Sequence, residues 1–479
     1  MSFKKGFFRS ISNLAKYTYL QQGVEFFSTI ILSRLLVPEE YGFVAIIHIF
    51  SSFIQLFANS GVRQALIRSD YGYTFHRYLF SLAIWIGIIL TLGLSLLAYP
   101  ITLLFEDRAL LFPTMVMSLR FTVDSINYVP AAILSKKLNF SKIGQAKFSA
   151  TIFSVGLSII LAFLGFSYWS LVIPMVIAPL IQYVVLFRHT RIGIKFYGIR
   201  AARFAFLKIK ALMSNLIAHN TINYWSRNVD KLIIGKFFTQ ADLGLYNRAF
   251  RFVQLTFRLV IGIFNAVLFP SLKKLQESGG NVNKEYNDIM GIITLINFPL
   301  VAILIAFPEE LVLLLWGQNW LDVSFYLPFV GLLIIFQTLM ATMTNVFVLY
   351  GKERVMTRIT FFASLTSVLS IGIGAFFSMQ MLVTLYTAAN ILVVTPIYIY
   401  YGFYRSFRFK TEPLLWFWLP KIVLSTGLLY FIVQENQLAL YALLLLLFFH
   451  LLINQKNSLL SLYQLITRMI REKSLSIGD

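Results

Sequence analysis

The sequence predicts an all-α polytopic membrane protein of about fourteen transmembrane helices: two six-helix lobes related by a parallel pseudo-repeat, plus two C-terminal helices. Three observations carry that expectation: the hydrophobic content, the alternation of charge between apolar segments, and an internal repeat. Of 479 residues, 58% are hydrophobic and 13% charged, with mean hydropathy +0.75. A soluble domain is about 45–50% apolar and about 25% charged. Forty-seven Phe and 24 Tyr bring the aromatic share to 16%. One water-soluble core cannot sequester so much apolar surface, so the solvent is lipid.

A helix crossing about 30 Å of hydrocarbon needs about 20 residues at 1.5 Å each. Along the chain, fourteen segments meet that length: 12–33, 42–61, 78–99, 110–134, 148–165, 170–187, 211–235, 244–270, 289–306, 325–349, 359–377, 381–402, 413–432 and 438–454. The first, fourth, seventh and eighth are the most polar. Connecting segments alternate in charge, as the positive-inside rule requires. One set carries Lys4, Lys5 and Arg9; Arg63, Arg68 and Arg77; Lys136, Lys137 and Lys142; the basic stretch Arg188–Lys210; Lys273, Lys274 and Lys284; Lys352, Arg354 and Arg358; Arg405, Arg408 and Lys410; and Lys456, Arg468, Arg471 and Lys473. The other set carries Arg34, Arg108 and Lys236 against Glu39, Glu40, Glu106, Asp107, Asp242, Glu309, Glu310, Asp322 and Glu435. Both termini are therefore expected on the cytoplasmic side. The basic start, Met1 to Arg9, leads into an amphipathic stretch with no small-residue cleavage site, which reads as a retained end.

The net charge of +21 is scattered in short clusters rather than gathered in one stripe, which argues against nucleic acid as a partner. With no Cys, disulfides, thiolate chemistry and zinc-finger spacing are excluded.

The repeat joins Leu32–Gly42 to Ile234–Gly244, 202 residues on; in each, a basic residue closes one helix, an acid follows, and a glycine opens the next. A second match joins Ile133–Ile143 to Leu349–Ile359, with the extra residues placed in the polar insert Leu275–Asn287. Matched motifs lie six spans apart, so the halves share one orientation, a design many transporters use around a central site. The expected division is residues 1–187, an N-terminal lobe; 188–210, a basic cytoplasmic linker; 211–402, a C-terminal lobe; and 403–479, two further spans and a cytoplasmic tail.

Subtracting loop charges leaves nine bases in or beside the spans: Lys16, Arg120, Lys147, Arg227, Lys231, Arg248, Arg251, Arg258 and Lys421. Only Glu25, Asp124 and Asp230 oppose them. A charge at mid-bilayer costs about 2.5–3.5 kcal/mol even on the lenient insertion scale, so such residues face protein or a wet cavity. The excess is positive and suits an anion. Arg248, Arg251 and Arg258 fall near one stripe of the eighth span, and guanidinium groups hold phosphate oxygens two at a time. Arg248 has a second reading, a side chain snorkelling to the outer interface. Arg120 and Asp124 lie one turn apart and can pair. Asp230 sits between Arg227 and Lys231. Each of Asp124, Asp230 and Glu25 is either half of a structural ion pair or a site for a coupling cation, Na+ or H+. Lys421 is expected to snorkel. Prolines within or beside spans, among them Pro130, Pro174, Pro179, Pro299 and Pro396, are candidate bend points.

Enzyme signatures are missing: His48, His76, His189, His219 and His450 are isolated, no phosphate-binding Gly-rich loop with Lys-Ser/Thr occurs, and no loop is long enough for a catalytic domain. No catalytic residue, metal or cofactor is expected.

Arg227-Asn-Val-Asp230-Lys-Leu-Ile-Ile-Gly235, followed by Leu243-Gly-Leu-Tyr246-Asn-Arg-Ala249, resembles the central signature of the polysaccharide transporter family. Leu35-Leu36-Val-Pro38-Glu-Glu-Tyr41-Gly42 is similar to that family's first loop. These are the O-antigen and exopolysaccharide flippases of the MOP superfamily, which also contains the MATE exporters. The resemblance implies a bacterial inner-membrane flippase moving an undecaprenyl-diphosphate-linked oligosaccharide to the periplasmic leaflet on a cation gradient. It also implies membrane lipids, a polysaccharide polymerase and a chain-length regulator as partners. A basic cavity suits the diphosphate, with Arg258, Arg251, Arg248 and Arg120 as candidate contacts. The alternatives are a MATE-like drug exporter, which would call for an acid-rich cavity, and a membrane-bound polymerase or ligase, which would call for a long periplasmic loop.

Overall fold

The computed structural model describes residues 3–59, 66, 73–137, 139–191, 196–226, 228–409 and 411–454. The chain runs helix after helix, and no strand occurs among the described residues. The first half comprises α1 (Phe3–Leu35), α2 (Pro38–Asn59), α3 (Tyr73–Phe105), α4 (Leu111–Lys136), α5 (Phe140–Phe163) and α6 (Trp169–Thr190). Then come α7 (Gly198–Ser226), α8 (Val229–Phe237) and α9 (Gln240–Thr256), a π-helical turn at Phe257–Ile261, and α10 (Gly262–Glu277). The rest comprises α11 (Val282–Ala306), α12 (Pro308–Leu315), α13 (Leu327–Leu349), α14 (Glu353–Ala375), α15 (Met379–Ala389), α16 (Thr395–Tyr398), α17 (Thr411–Val433) and α18 (Gln437–Asn454).

Each of the fourteen expected segments lies mostly on helix where it is described, and ten stretches among the described residues are long and apolar enough to cross a bilayer. The expected segments outside those ten are the first, seventh and eighth, which are polar, and the last, the shorter apolar stretch Gln437–Ile453. The fourth, marked as polar, qualifies as Arg108–Lys136. Lipid as solvent explains the outward faces: on α14, Phe361, Phe362, Leu365, Leu369, Ile373 and, just beyond its end, Phe376 are all exposed. Between helices, buried polar side chains pair, as they must where no water can satisfy them. Tyr286 Oη and Thr342 Oγ1 are 2.9 Å apart, and Asn297 Nδ2 donates to Thr338 Oγ1 at 3.1 Å. Helices run through Pro100, Pro130, Pro174, Pro179, Pro270, Pro299 and Pro420. Around Pro396 the helix instead passes through two π-helical stretches, Asn390–Val394 and Ile399–Ser406.

Two compact units emerge: Met1–Gly244 with Leu315–Trp320, and Leu245–Leu314 with Leu321–Asp479. The repeated motif is visible in backbone detail. α1 ends at Leu35 and α8 at Phe237; α2 begins at Pro38 and α9 at Gln240, each pair 202 residues apart. The caps repeat as well. Glu40 Oε2 accepts from Val37 N at 3.0 Å, and Asp242 Oδ2 accepts from Thr239 N at 3.1 Å, an acid reaching back over the first turn to an orphan donor. A further correspondence lies in the turns after α3 and α12. Ala98-Tyr99-Pro100 matches Ala306-Phe307-Pro308, and each stretch ends in an aromatic residue followed by a left-handed residue, Glu106 (φ 56°) or Gly317 (φ 86°), and a 3₁₀ helix.

Candidate functional site

From Leu245 on, in the second unit, α9, the π turn and α10 form one long element with two faces. Leu245, Tyr246, Ala249, Phe252, Val253, Ile261, Leu268 and Leu272 are buried. Arg251, Gln254, Arg258, Gly262 and Asn265 are exposed and recur at i, i+3, i+7, i+11 and i+14, a single helical face. Arg258 sits inside the π turn, the local widening that often marks functional positions in helices. Asn345 of α13 extends the face by donating Nδ2 to Asn265 Oδ1 at 2.8 Å. Among the described residues no carboxylate forms an ion pair with Arg258. Arg248 departs from its neighbours: only 3% exposed, it is buried within the protein and does not snorkel.

In the first unit one pair of in-span charges meets directly. Arg120 Nε lies 3.3 Å from Asp124 Oδ2, with the carboxylate side chain 16% exposed. One turn on, Tyr128 Oη accepts from Gln55 Nε2 at 2.9 Å, tying α4 to α2. His48, Ser52 and Gln55 continue that polar line on α2, with Ser52 Oγ 2.9 Å from His48 Nδ1. Glu25 accepts from Gln21 Nε2 at 3.0 Å. Asp230 lies in the first turn of α8, where a negative side chain suits the helix dipole. Lys231 Nζ turns to Asn228 Oδ1 at 3.2 Å, and Arg227 lies outside the described residues.

Lys421 was expected to snorkel and does not. It is 1% exposed, donates to the Phe417 carbonyl at 2.7 Å and sits 3.4 Å from the Phe417 ring centroid. It lines a small cavity with Thr294, Asn297, Phe298, Ile335, Leu447 and Leu451. The α17–α18 pairing encloses the ammonium before it can reach an interface.

Sequence reading found the arginines because charge inside a span is rare. It passed over Gln254 and Asn265, whose only signal is their register with Arg251 and Arg258, and Asn345, which only a contact between helices brings to them.

These features define a class: an all-helical membrane protein with one polar, arginine-bearing face on a membrane-length helix. The fold is that of the MOP transporters. A lipid II flippase MurJ in an inward closed conformation superposes with TM-score 0.65, covering 94% of this chain and 99% of that one at 15% identity. An inward-facing multidrug resistance MATE transporter of the MOP superfamily gives TM-score 0.59, covering 83% and 98% at 15% identity. The chain belongs to the polysaccharide biosynthesis protein family, whose model matches residues 31–325. Relatives include the succinoglycan biosynthesis transport protein ExoT of Rhizobium meliloti, 27% identical over 65% of this chain and 62% of its own length. The lipopolysaccharide biosynthesis protein WzxC of Escherichia coli is 23% identical over 60% and 59%. The teichuronic acid biosynthesis protein TuaB of Bacillus subtilis is 23% identical over 56% of each chain. Each of these three alignments spans less than two thirds of the relative.

Proposed function

We propose that the chain is a flippase that carries an undecaprenyl-diphosphate-linked oligosaccharide from the cytoplasmic to the periplasmic leaflet by alternating access. The carrying observation is the exposed face Arg251–Gln254–Arg258–Asn265 with Asn345. An anionic diphosphate calls for guanidinium groups, which Arg251 and Arg258 supply with paired N–H donors. Sugar hydroxyls call for neutral groups that both donate and accept, which Gln254, Asn265 and Asn345 supply. The lipid tail stays in the bilayer while the headgroup crosses. Family membership, the name of ExoT as a succinoglycan biosynthesis transport protein and that of WzxC as a lipopolysaccharide biosynthesis protein support the same reading.

The wider scheme is part of the proposal: fourteen spans, both termini cytoplasmic, an inner-membrane location, two lobes of residues 1–187 and 211–402 joined by the 188–210 linker, and a polymerase and chain-length regulator acting downstream. Coupling to H+ or Na+ is assigned to Asp124, Asp230 or Glu25. A cationic drug is a poorer cargo, because Asp124 already faces Arg120.

The test deletes the gene in its host and determines which leaflet holds the lipid-linked oligosaccharide. Accumulation on the cytoplasmic side, cleared by restoring the gene, is expected; units that reach the periplasmic face unpolymerised would overturn the reading in favour of an enzyme. Arg258→Ala is expected to abolish complementation at normal protein abundance, and retained transport would remove Arg258 from the site.

A further inference from the structure

The first turns of α2 and α9 meet backbone to backbone. A Cβ built on Gly42 would collide with the carbonyl of Gln240, and one built on Gly244 would collide with the carbonyl of Pro38 and lie 3.1 Å from the Gly42 nitrogen. Gly42 and Gly244 are equivalent positions of the repeat, as are Pro38 and Gln240. The contact is therefore reciprocal about a pseudo-two-fold axis, each glycine seated on the other repeat's helix start. Glycine is required at both places because the obstacle is a main-chain carbonyl, which cannot swing aside as a side-chain tip can. At Gly23, Gly93 and Gly156, by contrast, an added Cβ meets nothing within 4 Å.

Two further contacts repeat the reciprocity. The turn after α3 reaches the second motif: Glu106 Oε1 is 2.8 Å from Lys236 Nζ, and Asp107 Oδ2 accepts from Gln240 Nε2 at 2.7 Å. The turn after α12 reaches the first motif. Trp320, fully buried, donates Nε1–H to the carbonyls of Ser33 at 2.7 Å and Leu36 at 3.2 Å and packs edge-on to Tyr41 at 5.2 Å. All of these groups belong to the first compact unit and to the acidic-loop end of the helices.

We propose that the Gly42–Gly244 crossing, strapped by Trp320, is a latch that shuts the acidic-loop end and parts once in each transport cycle. Its construction suits repeated opening. The central contact is main chain against main chain. Two helix N-termini brought side by side repel through their dipoles, and Glu40 and Asp242 offset that repulsion. The inference rests on the alternating-access reading for the word cycle, but the closure itself does not depend on the cargo.

The chain has no Cys, so a single reporter suffices. Ser33→Cys is near-isosteric at a buried position beneath the Trp320 indole. In membranes, a thiol reagent that cannot cross the bilayer, added from the acidic-loop side, is expected to label it slowly. Combining it with Gly42→Ala or Gly244→Ala is expected to speed labelling at least about tenfold by favouring the open form. Transport is expected to be lost at normal abundance. Gly156→Ala is expected to change neither. Parent-rate labelling in the Gly42→Ala and Gly244→Ala chains at normal abundance would overturn the latch, as would fast labelling with transport intact, because closure would then be dispensable. If the alanine variants fail to accumulate, Trp320→Phe decides: it keeps a ring and removes the N–H donor. Faster labelling in it supports the latch, and the parent rate overturns it. Accelerated labelling in a host whose lipid-linked oligosaccharide is unaffected by the deletion would leave the latch standing and remove the flippase reading.

Discussion

The turn after α3 grips its target through exposed charge, while the turn after α12 grips its own through a buried indole. Glu106 is 81% exposed and Lys236 35%, and their contact is a single 2.8 Å ion pair at the rim. Trp320 has no exposure and satisfies its one donor with two backbone carbonyls. Both turns carry a left-handed residue ahead of a 3₁₀ helix, but the backbones differ: the helix continues through Pro100 in the first and breaks at Phe307 in the second, and the 3₁₀ helices span 3 and 9 residues. An exposed ion pair contributes little, because salt and water compete with it. A buried aromatic removes about 150–250 Å² from solvent and locks its neighbours by shape. The pseudo-symmetric halves thus diverge into one firm anchor and one soft clamp.

Breaking the firm side has the largest expected effect. Trp320→Ala should cost about 3–5 kcal/mol, read as a lowered unfolding midpoint of the purified protein, because it deletes a fully buried ring and orphans two carbonyls. A midpoint near that of the parent would show that the anchor is no anchor. Next comes overpacking on the soft side. A Cβ at Gly235 would lie 3.0 Å from Phe105 Cε1 and 3.3 Å from Leu243 Cδ2. Both obstacles are side chains that can yield, so Gly235→Ala should cost about 1–3 kcal/mol, short of Trp320→Ala in the same measurement.

The smallest effect belongs to the Glu106–Lys236 pair. Its hydrogen bond and charge hold the Glu106 carboxyl below its ordinary value of 4.5. A depressed carboxylate adds stability above the unfolded value and loses it as pH falls through the folded one. The midpoint difference between the parent and Glu106→Gln should therefore be small and flat from pH 7 to about 5 and vanish in more acid solution or high salt. A difference that grew on acidification would reverse the sign and assign the clamp to another group.

Much of this molecule was legible without coordinates, and particular residues show where legibility stopped. The Leu32–Gly42 repeat translated directly into matching helix ends at Leu35 and Phe237, because helix boundaries depend on local caps and on Pro38, Glu40 and Asp242. The Arg120–Asp124 pair was equally readable, since one turn of helix brings residues four apart together. Lys421 was misread: snorkelling is the default for a lone lysine near a span end, and only the packing of α17 on α18 shows that the way out is closed. Arg248 and Arg251 differ by less than one turn, yet one is buried and the other exposed, a difference set by tertiary packing and not by spacing.

The sequence by itself determined the solvent, the helical class and the internal repeat, because each is a sum over some twenty residues or a pattern of caps that local chemistry enforces. It also determined that the charges left in the spans are mostly positive. The tertiary structure alone decided which arginines stay exposed, which neutral amides join them, and that Gly42 and Gly244 seat on each other's helix starts. Those outcomes turn on close approaches between segments far apart in the chain, to which neither hydropathy nor periodicity responds.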